Sequence, residues 1–170
     1  VLVGGVHPTI SKHDALDPDV VDYICVGEGD EMLVEFCHAI ENNLDVTKVD
    51  NLGYKHNGQK YFNPLKPLTE LDSLPTPDWG LFDKRHLFRP YEGEVYNGGF
   101  YLMSRGCPYK CTYCVNDTIK KTMKGTGKYF RFQSPQTTIK QLTELKEKYN
   151  AKVVTYIGHS AGAAMGATLT

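Results

Sequence analysis

The sequence of 170 residues has no apolar run long enough to cross a membrane, and its mean hydropathy is −0.39. It also lacks the basic, apolar and small-residue pattern of a secretory signal peptide. Its five cysteines are an odd number, which argues against a framework of disulfides that pairs them all. These absences predict a chain made for a reducing compartment, and we expect the cytoplasm.

A strong net charge is absent as well, since the formal charge is −1. The charge is nevertheless uneven: residues 1–50 contain eleven acidic and two basic residues, whereas residues 104–131 contain seven basic and one acidic residue. Such asymmetry predicts two separate surfaces. The basic stretch 120–128 is expected to be a flexible, solvated loop, and without a stacking-aromatic module we do not expect it to bind nucleic acid.

The first part of the chain has the pattern of an α/β fold. Residues 1–5 and 22–27 are short apolar runs that end in glycine, as buried parallel strands do. Residues 30–42 predict an amphipathic helix laid on the sheet. Its apolar positions at helical spacing are Met32, Leu33, Phe36, Cys37 and Ile40. Cys37 in this helix and Cys25 in the second strand are expected to be small core residues.

Residues 54–62 predict a β-hairpin, with Asn57 and Gly58 in the turn. The segment that follows contains four prolines, which favour an extended linker held to a domain surface. A buried strand over residues 99–104, a helix that starts at Ser134 and Pro135, and a second strand over residues 152–157 predict β/α units. The apolar stripe of that helix is expected to contain Ile139, Leu142, Leu145 and Tyr149.

Three cysteines within eight residues, Cys107, Cys111 and Cys114, form a C-x3-C-x2-C loop. A four-iron cluster takes one thiolate per iron, so three cysteines would leave one iron open to a further ligand. Zinc is a rival, because three thiolates and one histidine make a closed structural site. The nearest histidines, His86 and His159, are far along the chain. Structural thiols without a metal are the third alternative.

The loop resembles that of the radical S-adenosylmethionine (SAM) enzymes, in which C-x3-C-x2-C holds a [4Fe-4S] cluster and SAM chelates the fourth iron. In that family an aromatic residue before the third cysteine lies against the SAM adenine, and Tyr113 has that position. The apolar run 99–104 would be the first strand of the family's partial (β/α) barrel. The resemblance implies reductive cleavage of SAM to a 5'-deoxyadenosyl radical, with an electron donor such as flavodoxin or ferredoxin.

A second resemblance covers the start of the chain. The stretches 3–9 and 21–31, together with the Leu-Asp-x-Leu-Pro-x-Pro-Asp pattern of the linker, are similar to a radical SAM subclass with a cobalamin-binding domain. The resemblance implies cobalamin as a further cofactor and a glycine pair that lines the pocket of its nucleotide tail. The matching positions are Gly4, Gly5, Gly27, Glu28 and Gly29. His7 is expected to be a structural histidine in a turn.

The resemblances predict the end of a Rossmann-like cobalamin-binding domain in residues 1–50. Residues 51–98 would form the hairpin and linker, and residues 99–157 the start of the radical SAM barrel. The chain is therefore expected to be a fragment with little activity alone, acting on a small-molecule substrate. Cobalamin-dependent methyl transfer or related radical chemistry is the implied reaction, and no side chain is an obvious general base.

Residues 158–170 do not match the family. They contain Gly158-His-Ser-Ala-Gly162, the G-x-S-x-G pattern of the α/β-hydrolase nucleophile elbow, which makes Ser160 of a serine esterase an alternative. In that fold the acid and the histidine follow the serine, and only eight residues follow Gly162. A non-catalytic cobalamin- or metal-binding module is the other alternative.

Overall fold

The structure is a computed structural model that describes residues 1–91, 93–97 and 101–149. The chain divides into two compact units. The first combines residues 1–69 with residues 109–129, and the second combines the described residues of 70–108 with residues 130–149. Among the described residues, no helix is both long and apolar enough to cross a membrane.

The first unit is built on a sheet of four strands in the order β1-β2-β3-β4. The strands are β1 (Leu2–Val3), β2 (Tyr23–Cys25), β3 (Leu52–His56) and β4 (Gln59–Phe62). β1 and β2 are parallel, whereas β3 pairs antiparallel with both β2 and β4. The predicted α/β class and the two apolar strands are therefore confirmed, and the hairpin extends the sheet that contains them.

The hairpin turn forms where the sequence predicts it. Asn57 and Gly58 both have positive φ, 51° and 74°. Two consecutive left-handed residues are what a two-residue turn needs in order to follow the twist of its strands. The register pairs His56 with Gln59 across this turn.

Four helices complete the described part of the first unit: α1 (Val6–Ile10), α2 (Lys12–Ala15), α3 (Asp30–Glu41) and α4 (Asn116–Thr122). His7 lies in α1 and is exposed, so the predicted turn is a short helix. A 3-10 turn, Val46–Lys48, leads from α3 to β3.

The face that α3 buries differs from the predicted one. Met32, Phe36 and Ala39 are the buried residues, at spacings of four and three. Phe36 packs edge-on against Tyr23, with ring centroids 5.1 Å apart, and this contact sets the rotation of the helix. The core position predicted for Cys37 is wrong, because the rotation leaves it exposed, while Cys25 is buried as predicted. The other predicted stripe residues, Leu33 and Ile40, are at least half exposed.

The second unit contains two small antiparallel sheets and one long helix. β5 (Phe88–Tyr91) pairs with β6 (Glu94–Asn97), and β7 (Ser104–Arg105) pairs with β8 (Arg131–Phe132). The helix is α5 (Pro135–Tyr149), which begins where the sequence predicts. Of the predicted strand 99–104, only Ser104 lies in a described strand, and the predicted strand 152–157 lies outside the described residues.

The proline-rich segment runs along α5 in the second unit. At the start of the helix, the Asp72 carboxylate accepts a hydrogen bond of 2.7 Å from the Ser134 N–H. At its end, Asp78 accepts hydrogen bonds from Lys148 and Tyr149. The hydrogen bond from Lys148 is the main cause that lowers the pKa of Asp78 to about 2. Three 3-10 turns lie within this stretch or after it: Leu71–Ser73, Trp79–Leu81 and Lys84–Leu87.

The buried residues of α5 are polar, and Leu142, Leu145 and Tyr149 of the predicted apolar stripe are partly buried. Thr138 and Gln141 are buried, whereas Ile139 is 66% exposed, so the predicted stripe is wrong at that position. Gln141 donates a 2.8 Å hydrogen bond to the Leu74 carbonyl. Gln133 donates to the Leu71 carbonyl at 3.1 Å. These amides bond to backbone carbonyls of the proline-rich segment, which is why polar side chains are buried here.

The orientation of α3 generates a stability prediction. Met32→Ala removes a side chain that is 1% exposed and should lower the free energy of unfolding by about 2–5 kcal/mol. The control Leu33→Ala truncates the adjacent residue, which is 50% exposed, and should cost about 1 kcal/mol or less. Urea unfolding followed by circular dichroism measures both. Equal losses would contradict the observed helix face.

Candidate cofactor site

Two glycine-bearing loops lie at one edge of the first unit's sheet. Gly4 and Gly5 follow β1, and Gly27 to Gly29 follow β2. Because β1 and β2 are parallel, both loops leave the sheet at the same edge, where open α/β folds bind ligands. The structure therefore brings together the five positions that the sequence predicts for a cofactor.

Thr9 joins these two loops. Its hydroxyl donates a 2.7 Å hydrogen bond to the Gly5 carbonyl and accepts one of 3.0 Å from the Gly27 N–H. Thr9 is 5% exposed, so its side chain lies beneath the surface of the two loops. Sequence analysis missed this residue, because a single threonine in a short helix has no pattern that distinguishes it.

The two loops differ in how open they are. Gly5 has φ of +102°, and no atom lies within 4 Å of where a Cβ would be, so a ligand can approach its backbone. Gly27 has φ of +90°, but a Cβ there would lie 2.8 Å from Met123 Cε. Met123, just after α4, therefore covers the space beside Gly27, whereas the space beside Gly5 is open.

Hydrogen bonds from two residues later in the chain hold Glu28 in place. Its carboxylate accepts a 3.0 Å hydrogen bond from the Thr69 N–H. Its carbonyl accepts one of 2.8 Å from the side-chain amide of Asn51, a residue that is 3% exposed. These bonds fix the conformation of the Gly-Glu-Gly loop.

The cysteine loop crosses from the second unit to the first. Cys107 belongs to the second unit, and Cys111 and Cys114 belong to the first. All three are free thiols; Cys111 is exposed, and the other two are partly exposed. In the part of the chain that the structure describes, no group of three or more His, Cys, Asp or Glu side chains is arranged to hold a metal ion. The three-thiol ligand set therefore remains a prediction from the sequence.

Cys114 has the most specific surroundings of the three thiols. Its N–H donates a 3.1 Å hydrogen bond to the Cys111 carbonyl, which closes a turn between the two residues. The backbone N–H and the side-chain amide of Asn116 both bond to Cys114 Sγ, the amide at 3.3 Å. These bonds stabilise the thiolate and lower the pKa of Cys114.

Residues after the cysteine loop are more ordered than predicted. The expected flexible loop 120–128 instead contains the end of α4, and Met123 is 4% exposed. The Thr126 carbonyl also accepts a 2.7 Å hydrogen bond from the Leu68 N–H. Tyr113, the predicted adenine contact, is 91% exposed and so has a free ring face.

Models of known protein families give no match to this chain. Among curated proteins, an uncharacterized methyltransferase, PH0819, of Pyrococcus horikoshii is 27% identical over 161 residues. These residues are 92% of the chain and 32% of the methyltransferase. The anaerobic magnesium-protoporphyrin IX monomethyl ester cyclase of a Synechocystis strain is 30% identical over 115 residues, which are 67% of the chain and 22% of the cyclase.

Among solved structures, the fold is similar to that of TsrM from Kitasatospora setae, a radical SAM methyltransferase with cobalamin and a [4Fe-4S] cluster bound. The TM-score is 0.56 at 19% identity, over 87% of this chain and 29% of TsrM. The chain is therefore similar in sequence to methyltransferases and cyclases, and its fold is similar to that of a cobalamin-bound radical SAM methyltransferase. The resemblance that the sequence suggests is confirmed.

The chain spans about a third or less of the length of the curated proteins it matches. Those relatives, methyltransferases and cyclases, are enzymes. The alternative nucleophile Ser160 and the G-x-S-x-G stretch lie outside the described residues. The hydrolase interpretation therefore stays an untested alternative, whereas the predicted resemblance agrees with the curated relatives and with the fold.

The bridge made by Thr9 gives a testable prediction. Thr9→Val keeps the shape of the side chain but leaves the Gly27 N–H without its acceptor, which should lower the free energy of unfolding by about 1–3 kcal/mol. Thr9→Ser keeps the hydroxyl and should retain most of the stability. Chemical denaturation compares the three proteins. A valine variant as stable as the serine variant would contradict the bridging role.

Proposed function

We propose that this chain is part of a cobalamin-binding radical SAM methyltransferase. The observation that carries the proposal is the C-x3-C-x2-C loop, whose cysteines Cys107, Cys111 and Cys114 are all free thiols. The relationship to methyltransferases and the fold similarity to TsrM support it. Methyl transfer to a small molecule is the reaction class that these relatives suggest.

The donor set suits a four-iron cluster. Three thiolates would bind three irons and leave the fourth for SAM, and the lowered pKa of Cys114 favours the thiolate that iron would bind. Tyr113 offers an exposed ring on which the SAM adenine would stack. When bound, the cluster supplies the electron for reductive cleavage of SAM to a 5'-deoxyadenosyl radical, and cobalamin supplies a methyl carrier.

The glycine edge of the first unit would hold cobalamin. The open backbone at Gly5 supports this assignment best, and the other proposed contacts are Gly4, Gly27, Glu28 and Gly29. Thr9 keeps the two loops at a fixed separation, so the surface is formed before a ligand arrives. The proposed part of this chain is to bind and orient the cofactors, while the cofactors carry the chemistry.

An external electron donor completes the proposal. The basic residues after the cysteine loop include Lys121, Lys124 and Lys128, which are exposed. A small acidic carrier such as flavodoxin or ferredoxin would be attracted to this surface by charge complementarity. Association of the two proteins would then weaken as the salt concentration rises.

Cluster formation is the first prediction of this proposal. Anaerobic reconstitution of the chain with ferrous iron and sulfide should give a brown protein with about four irons per chain. Cys111→Ala should lose most of this iron, because it removes one of three ligands. Cys37→Ala is the matched control, since Cys37 is an exposed thiol on α3, outside the loop, and it should keep the full iron content. Iron analysis and absorbance spectra measure the outcome.

Stoichiometric zinc without iron would contradict the cluster and favour the closed zinc site. Equal iron loss from the Cys37 and Cys111 variants would also contradict it, because the iron would then be bound by thiols in general rather than by the loop.

Cobalamin binding is the second prediction. Gly5→Ala places a methyl group in the open space and should weaken hydroxocobalamin binding about tenfold, equivalent to about 1.4 kcal/mol. The control is Gly58→Ala, which also has positive φ and open space but lies in the hairpin turn at the opposite edge of the sheet. The Gly58→Ala variant should bind hydroxocobalamin with the same affinity as the unchanged protein. Absorbance titrations of folded protein measure the affinity, and no binding by the unchanged chain would contradict the assignment.

A further inference from the structure

Asn116 connects the third cysteine of the loop to the structure around it. Its side-chain amide donates a 3.3 Å hydrogen bond to Cys114 Sγ. Its side-chain oxygen accepts a 3.0 Å hydrogen bond from the Tyr129 hydroxyl. All three residues belong to the first unit, so this chain of contacts is contained in one compact body.

The Tyr129 hydroxyl bonds to the oxygen end of the Asn116 amide. A tyrosine hydroxyl that donates its hydrogen needs an acceptor, and the amide oxygen of Asn116 is that acceptor. The NH2 group at the other end is then the one directed at Cys114 Sγ. Tyr129 and Asn116 are both partly buried, which limits competition from water for these bonds.

N–H groups directed at a ligand sulfur change the properties of an iron-sulfur cluster. Hydrogen bonds to the sulfurs are among the factors that set the reduction potential. Reduction adds one negative charge to the cluster, and an N–H donor stabilises that charge, so each donor raises the potential. Cys114 accepts two such bonds, both from Asn116.

We propose that Asn116 is a positioning residue for the third cluster ligand, and that Tyr129 holds Asn116 in place for this role. Asn116 orients Cys114 Sγ and raises the reduction potential of the cluster. The inference rests on the proposed function, because it requires that Cys114 bind the cluster.

The test measures the reduction potential of the reconstituted chain. Dithionite supplies one electron per [4Fe-4S] cluster, and electron paramagnetic resonance follows the reduced form across a redox titration. Asn116→Leu removes the side-chain donor at similar size, and we expect its midpoint potential to be more negative at unchanged iron content. Tyr129→Phe keeps Asn116 but frees its amide, and we expect a smaller shift in the same direction. The backbone bond from residue 116 remains in both variants.

Thr122→Val is the matched control, because it changes a polar residue to an apolar one on the same helix. The Thr122 hydroxyl donates to the Thr118 carbonyl, so its loss should leave the potential unchanged. A shift as large in this control as in the Asn116 variant would overturn the inference, since the effect would then come from the helix.

The possible outcomes separate failure of the inference from failure of the proposed function. If the unchanged chain binds no iron, the proposed function fails and the inference fails with it. If the Asn116 and Tyr129 variants bind four irons and keep the potential of the unchanged protein, the inference alone is wrong. If Asn116→Leu does not load iron, the Tyr129→Phe variant tests the inference instead. A more negative midpoint potential in this variant supports the positioning role of Asn116, and an unchanged potential overturns it.

Discussion

The parallel pairing of β1 with β2 is the constraint on which the candidate site depends. It places the loops after both strands at one edge of the sheet, although the strands are far apart in the chain. Thr9 then bonds to both loops, and Met123 packs on Gly27. Met123 directly follows α4, the helix that begins two residues after Cys114. The glycine edge and the third cysteine are thereby joined within one compact unit.

The same packing links the two proposed cofactor sites, because α4 connects the glycine edge of the sheet to the third cysteine. The buried Met123 contact makes α4 part of the sheet edge rather than part of a free loop. A substitution at Gly27 would therefore alter the position of α4, which contains Asn116, because Met123 at the end of α4 packs on Gly27. Direct packing between the two segments is a sufficient physical route for such coupling.

The sequence predicted the elements with clear local signals and missed the contacts that depend on tertiary structure. The Asn57-Gly58 turn, the start of α5 and the paired strands β1 and β2 were predicted from glycine, proline and apolar patterns. The rotation of α3 was not predicted, because Met32 and Leu33 fit one periodic stripe equally well. Only packing against the sheet decides which of the two residues is buried. Cys37 was misplaced for the same reason. In α5, Gln141 is buried because it bonds to a carbonyl of the proline-rich segment, and hydrophobic periodicity cannot predict that pairing.

The site shows the same division. The C-x3-C-x2-C spacing predicts the three thiols and Tyr113 as site residues, and the glycines predict the sheet edge. Thr9, Asn51 and Asn116 are single polar residues whose roles come from partners distant in sequence or from one side-chain orientation. Their hydrogen bonds became visible only with the fold.

The central claim is that the cysteine loop holds a four-iron cluster with one iron open to SAM. Electron paramagnetic resonance of the reduced, reconstituted chain, recorded with and without SAM, tests it most directly. We predict that SAM changes the spectrum of the cluster, because it would bind the open iron. Identical spectra at saturating SAM, from a chain that contains four irons, would contradict the account.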